Sequence, residues 1–434
     1  MQKKFNIFFL FLVGGTILLT TSYYDNNWGV VEPSYYNVWE KNSERVVVAR
    51  LAKSRQDGIF SAAGLLGLAN VKGWNFELEP QYEIYERGIK VESYLVYKSL
   101  PGTQGIILSW LDSITNFSPS QNLIIIRFSV ATLSAFTVAL FCAYLAGEFG
   151  WLSAILVLMF SALSEWMILP ASNAYWNLWA FFLPFVANLL LLKKTPDGNA
   201  RSFNKVYITS FVTVLVKVLI SGFEMITTTL VMTTIPLVYY AIIRKWNWRV
   251  FLQRLSILSV VLVAATIFGL VVTAVQVSIH DASIKSSYRY IMSTLDRRAF
   301  GDPEDYRGTY KESLEAGLFT VIKMYLGINA FNTQTPPLPW QVVYWKLILL
   351  FAIFTAAFII KHKFLKNVLP QKGMALIVTT WFSIVSPLSW YIIFRPTSYV
   401  HPHKFPMAWQ MPFTLLGFAL CGYVITDLLR KKTA

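Results

Sequence analysis

Charge is what this sequence has least of. Only 14% of its 434 residues are Asp, Glu, Lys or Arg, where a soluble protein carries roughly 25%. Cysteine is also scarce. Cys142 and Cys421 both sit inside apolar runs and read as small core residues, which excludes a disulfide framework or a cysteine metal cluster. There is no glycine-rich phosphate loop after a strand and no dinucleotide fingerprint, so no nucleotide site is expected. Neither a Gly-x-Ser-x-Gly elbow nor a His-Glu-x-x-His helix occurs. An enzyme built this way takes its activated substrate from the membrane. The chain has no internal repeat, no low-complexity tract and no inverted pair of broken spans, the symmetry that a transporter more often shows.

What is abundant is apolar side chain. Hydrophobic residues make up 55% of the chain and aromatics 16%. Apolar runs of about 18–22 residues recur along it, the length that crosses a bilayer. The expectation is an all-α polytopic membrane protein, one membrane domain over 1–434 with about ten spans. They fall near 5–21, 122–145, 151–169, 176–192, 206–220, 225–243, 255–277, 342–360, 374–394 and 413–429. No small-x-small cleavage site follows the first run, so it is read as an uncleaved span.

The net charge of +15 is explained by where the charges fall. The termini, the turn at Gly147 and the loops at 193–205, 244–254 and 361–372 hold about seventeen Lys and Arg against three acids, Glu148, Asp197 and Asp427. This is the positive-inside pattern. It predicts cytoplasmic termini in a plasma (inner) membrane, with membrane lipids and no nucleic acid as partners. The polar material on the opposite face comprises two long segments, 23–120 and 279–340, and two short ones, 221–224 and 395–410. The apolar patches 59–69 and 105–111 are too short to cross and suit helices lying in the interface.

The stretch 40–61 is the charged segment nearest the first span. Its Val47, Val48, Leu51 and Ala52 at helical spacing predict an amphipathic surface helix. Glu40, Glu44 and Asp57 supply carboxylates there, beside Arg45 and Arg50. One reading is an acid–base group facing a lipid-borne substrate. The other is a solvated helix with Glu40, Glu44 and Val48 on its wet side. Arg127 and Lys217 are ionisable residues within spans, near the outer headgroup level. They are candidates for a lipid phosphate, or they snorkel. Glu224 lies about two helical turns beyond Lys217 and is either a supporting carboxylate or half of an internal ion pair. Arg395, His401, His403 and Lys404 form the densest polar cluster between two spans, where prolines at 396, 402 and 406 exclude a regular helix. Phosphate binding suits this set better than metal, since two imidazoles lack placed carboxylate partners; a plain surface loop is the alternative.

These features together resemble the GT-C superfamily, membrane glycosyltransferases that use polyprenyl-phosphate-linked sugars. That superfamily carries an acid–acid–x–Tyr–x–x–Ala pattern in its first outer loop. Here Ser43-Glu44-Arg45-Val46-Val47-Val48-Ala49 is similar to it, with Ser43 in place of the first acid. The run from Arg127 to Gly147, followed by Trp151-Leu152-Ser153-Ala154, resembles the second and third spans of bacterial members, and 99–105 resembles the loop before them. The resemblance covers most of the N-terminal half.

It implies an inverting transfer of a sugar from the lipid phosphate to a glycan or lipid-linked acceptor at the outer face, as in cell-surface polysaccharide or lipopolysaccharide modification. Glu44 would be the base, with Asp57 or Glu40 in support, and Arg and Lys would hold the leaving phosphate. Arg45 and Glu224 would support them. No organic cofactor is implied. Some members use a divalent cation, for which no ligand set is readable here. The rival expectations are an O-antigen-type polymerase and a transporter or lipid flippase.

Overall fold

The computed structural model describes residues 2–71, 80–196, 200–332, 341–364 and 369–429. Asp197 and the stretch 333–340, part of the expected second outer segment, lie outside them.

The chain opens with α1 (Gln2–Tyr23), then α2 (Pro33–Asp57), β1 (Gly67–Asn70), α3 (Pro80–Arg87), β2 (Ser93–Val96) and α4 (Thr103–Ile114). The bundle continues with α5 (Pro119–Phe149), α6 (Trp151–Leu163), α7 (Glu165–Ala171), α8 (Leu178–Lys194), α9 (Ala200–Ser221), α10 (Ile226–Ile243) and α11 (Trp248–Asp281). Short helices α12 (Ile284–Leu295), α13 (Thr309–Glu315) and α14 (Leu318–Leu326) precede α15 (Tyr344–Phe364). The remainder is α16 (Gln371–Phe382), α17 (Val385–Ile393), α18 (Arg395–Val400) and α19 (Phe413–Leu429).

Among the described residues the protein is thus all-α apart from one two-stranded antiparallel sheet, which pairs Gly67 with Val96 and Asn70 with Ser93. All ten expected spans are helical, but not all are long enough to cross. Among the described residues, seven helices are long and apolar enough, or eight if α6 and α7 count as one. Those two are bent by 67°. A peptide group freed at the bend finds a partner, Glu165 N donating to Phe331 O (2.6 Å), and the Ser164 hydroxyl adds a bond to Ala330 O (2.9 Å). Such substitution is required where a helix breaks among apolar surroundings. Helices α8 and α19 have 17 residues each, about 25 Å at 1.5 Å per residue, short of a ~30 Å hydrocarbon core.

Helix α2 differs from its expectation. Glu32 caps it by accepting from Tyr35 N (2.9 Å), Pro33 sits in its first turn, and Gly58 at φ +90° ends it. The start and stop follow local chemistry, yet the helix does not lie on a surface. Glu40, Glu44 and Val48, the expected wet side, are buried along with Val46, Val47, Arg50 and Leu51. The reason is tertiary: α3, α4 and β1 pack over α2 and close its second face. Arg50 is spent inside this layer, donating to Ser61 O (2.7 Å) and Ile59 O.

The 59–69 patch is also corrected. It forms a short 3-10 turn and the start of β1, not an interfacial helix. The 105–111 patch does lie in a helix, α4, with Ile107, Trp110, Leu111 and Ile114 exposed along it.

At the other end of the bundle the acids are paired. Glu148 accepts from Lys372 (2.8 Å) and from the Tyr239 hydroxyl (3.0 Å), and Asp427 faces Lys361 (3.1 Å).

Candidate functional site

Of the ionic clusters at the end of the bundle that carries α2, two hold most of the expected site residues. The first is enclosed. Arg127, on α5, grips Glu44 of α2 with both sides of its guanidinium: Nε lies 3.2 and 3.0 Å from the two carboxylate oxygens, and Nη2 donates to Oε2. The Tyr82 hydroxyl (3.1 Å) and the Ala174 amide (3.4 Å) also donate to Glu44. Glu40 sits one turn earlier, 3.7 Å from Arg127 Nε. Burial, and then the charge of Glu44, push the Glu40 carboxyl above its usual range. Glu44 has no exposed surface.

The second cluster lines a cavity of about 250 Å³. Its wall is assembled from segments far apart in sequence. Helix α2 contributes Ser43 and Arg45, and the connection after α7 contributes Tyr175 and Trp176. Glu224 comes from the turn between α9 and α10, Arg298 from the turn after α12, and His401 and Lys404 from the segment after α18. Arg298 Nη1 donates to Glu224 Oε1 at 3.1 Å. The other oxygen, Oε2, is buried without a hydrogen-bond partner.

Lys217 shapes this turn and does not enter the cavity. Its Nζ donates to Gly222 O (2.8 Å) and Glu224 O (2.6 Å), which ties the turn to α9. Gly222 takes φ +61° against Leu100, where a side chain has no room.

Electrostatics around the cavity are dominated by cations. Burial raises the Glu224 carboxyl, but neighbouring charges, Arg298 first and then Lys404, outweigh it and hold the group below its usual value, so it is ionised. Burial first, then Lys404, push the His401 imidazole down to about 4, so it is neutral at pH 7. Burial also lowers Lys404. Among the described residues Lys404 makes no ion pair, and Arg45 Nε is buried without a partner. Three cations face one carboxylate, a lining that repels a divalent cation. No group of three or more His, Cys, Asp or Glu side chains is placed to hold a metal among the described residues.

The expected site residues therefore divide. Glu224, Arg45, His401 and Lys404 line the cavity. Glu44, Glu40 and Arg127 form the enclosed cluster. Asp57 lies at the exposed end of α2, paired with Lys53. Arg395 turns to Leu314 O (2.9 Å), and His403 is exposed, offering its carbonyl to Trp39 (3.2 Å). Arg298, Tyr175 and Trp176 carry no sequence pattern that marks them; the one hint is the Arg297–Arg298 pair within the long outer segment. No family model matches the chain, and no curated protein or solved structure matches it either.

Glu44→Gln removes the main partner of a partly exposed Arg127, which keeps Glu40 at 3.7 Å, so it is expected to cost about 1–3 kcal/mol of stability. Glu44→Gln combined with Arg127→Gln is expected to recover at least half of that. Thermal unfolding of the four proteins in detergent gives the coupling directly; additive losses would show that the pair contributes nothing.

The depressed His401 value also carries a sign. The unfolded imidazole binds a proton near pH 6.5 and the folded one only near 4. Its contribution to stability is present above about 6.5 and is lost as pH falls toward 4. A His401→Asn variant should show a flatter fall in Tm across that window.

Proposed function

We propose that the protein is a membrane glycosyltransferase of the GT-C type, moving a sugar from a polyprenyl-phosphate carrier to an acceptor hydroxyl. The observation that carries this reading is the double position of Arg298. It lines the cationic cavity and also a second chamber of about 250 Å³ walled by apolar side chains, among them Ile226, Ile267, Leu270, Leu295, Trp390 and Phe394. Ile267 and Leu270 of α11 are exposed on the apolar flank of the bundle. An amphiphile with a phosphate between a sugar and a hydrocarbon chain fits that pair of chambers: the chain in the apolar one, the phosphate at Arg298, the sugar in the polar one. The apolar wall is held at the end of α11 by Lys98, whose Nζ meets both oxygens of Asp281 at 2.7 and 2.6 Å, and on α12 by a 2.9 Å bond between Ser99 and Tyr290.

The chemistry follows from the charges. Arg45, Arg298 and Lys404 against Glu224 leave the cavity in positive excess. A sugar phosphodiester carries one negative charge and the phosphate that departs carries two. The lining therefore favours the charge that grows as the bond breaks, which is how a fixed site accelerates a reaction. Glu224 takes the role of base, in place of Glu44. Its carboxylate accepts the proton of the acceptor hydroxyl, the hydroxyl oxygen bonds to the anomeric carbon, and the carbon–phosphate oxygen bond breaks with its electrons on the phosphate. Bound phosphate offsets the cations that depress Glu224, and so raises its basicity when it is needed. Glu44 supports this arrangement from beneath, through the α2 backbone that places Ser43 and Arg45.

Incubation of the purified protein with a polyprenyl-phosphate monosaccharide and membrane glycans should release free polyprenyl phosphate. Glu224→Gln should lower kcat by ~10²–10⁴ with donor binding retained. Lys404→Gln, which breaks no ion pair, should lower kcat by roughly 10²-fold. Turnover of a lipid-linked oligosaccharide alone would move the protein to the O-antigen-type polymerases. Binding without turnover would make it a lipid carrier.

The charge asymmetry supports a cavity on the outer face of the plasma membrane and cytoplasmic termini. With Cys142 and Cys421 buried, a Glu304→Cys variant should react with an impermeant thiol reagent in intact cells, and a Lys363→Cys variant should not. The reverse pattern would invert the whole orientation.

A further inference from the structure

A third chamber, of about 240 Å³, lies on a different flank of the bundle, between α4, α5 and the start of α8. Ile107 and Leu111 of α4 and Ile125 and Leu133 of α5 line it and are 41, 38, 41 and 47% exposed, so the groove opens outward along an apolar span. Its polar lining is unlike that of the cationic cavity: amides and hydroxyls only, with no charged side chain. Most of these groups already have partners. Thr115 Oγ1 donates to Asn122 Oδ1 (2.7 Å), Asn122 Nδ2 donates to Asp112 (2.7 Å), and Asn177 Oδ1 accepts from Trp179 (3.3 Å).

Gln104 is the exception. It is 2% exposed, its amide nitrogen donates to Ala174 O, and its Oε1 is buried with no partner. A buried acceptor left unpaired is costly, and this one borders a groove that opens where bilayer hydrocarbon would lie.

We infer that the groove is a second lipid site, taking the hydrocarbon chain of a neutral, hydroxyl-bearing lipid such as an acylglycerol. The apolar mouth supplies the chain contact. The uncharged lining disfavours a phosphate at the same depth, since a phosphate there would have no cation to meet it. The free Gln104 oxygen accepts one hydrogen, which a lipid hydroxyl provides. Occupancy reaches the cationic cavity through one residue, because Gln104 also holds Ala174, next to Tyr175 and Trp176 of the cavity wall. The site does not depend on the reaction proposed above.

The test uses the full chain in phosphatidylcholine nanodiscs with a photoactivatable diacylglycerol, and with a phosphatidic acid carrying the same tagged chain. Diacylglycerol should label residues within 103–133, more than phosphatidic acid does by about fivefold, the worth of one net hydrogen bond. Ser129→Trp and Ile107→Trp, both at exposed groove positions, should each remove that labelling. Gln104→Leu should keep the labelling and lose the preference for the hydroxyl. Labelling spread evenly around the apolar belt, or unchanged in both Trp variants, would mean an annular lipid only and overturn the proposal. So would a preference for phosphatidic acid.

Discussion

The grip of Arg127 on Glu44 is the contact on which the cavity end of this protein depends. Arg127 belongs to the long apolar helix α5 and Glu44 to α2, outside the spans. Glu44 is fully buried and Arg127 partly so, and the guanidinium is what allows the carboxylate to be buried. Their pairing pins α2 inward against the bundle, and α2 in turn gives α3, α4 and the small sheet a surface to cover. Glu40, Tyr82 and the Ala174 amide complete the donors and acceptors around the pair. Without that satisfaction, a helix with so many charges would remain at an aqueous surface.

The cavity inherits its shape from this arrangement. Ser43 and Arg45 flank Glu44 in sequence, so the enclosed pair positions two wall residues directly. On the far side the turn bearing Glu224 is set by Lys217, whose ammonium is consumed by two backbone carbonyls. Two of the ionisable residues placed within spans therefore hold the frame, and residues from connections do the facing. This division is physically reasonable. A charge deep in an apolar helix costs free energy unless it is fully bonded, and a fully bonded group has little left to offer a ligand. Glu224 keeps one oxygen without a hydrogen-bond partner, and Lys404 makes no ion pair among the described residues, so both retain bonding capacity.

The three chambers differ in ways that matter for what enters them. One is polar and cationic, one apolar with Arg298 at its rim, and one apolar with only neutral dipoles. Apolar lining selects a chain, while the sign and number of charges select the headgroup. The chamber with Arg298 at its rim suits a lipid that ends in phosphate; the neutral one suits a lipid that does not.

Much of the architecture is legible in the amino-acid sequence. The all-α membrane class follows from apolar runs and scarce charge, and the ten helical stretches follow from the same runs. The end of α2 follows from Gly58, whereas its start at Glu32 and Pro33 lies before the stretch 40–61 that reads as amphipathic. Of the candidate site residues, Glu224, Arg45, His401 and Lys404 are marked by charge in an apolar chain, and they do meet in one cavity. Whether a helical stretch is long and straight enough to cross is not legible, because the break at Ser164 is stabilised by carbonyls of residues 330 and 331. Nor is the burial of Glu40 and Glu44, since nothing in 40–61 announces that Arg127 and Tyr82 will neutralise and cover it. Arg298 is invisible for the same reason: its importance comes from reaching Glu224, 74 positions away in sequence. Periodicity and composition act locally and so determine helices, their ends and their solvent. Which charges pair and which remain open is decided by contacts between distant segments, and only the folded chain supplies those.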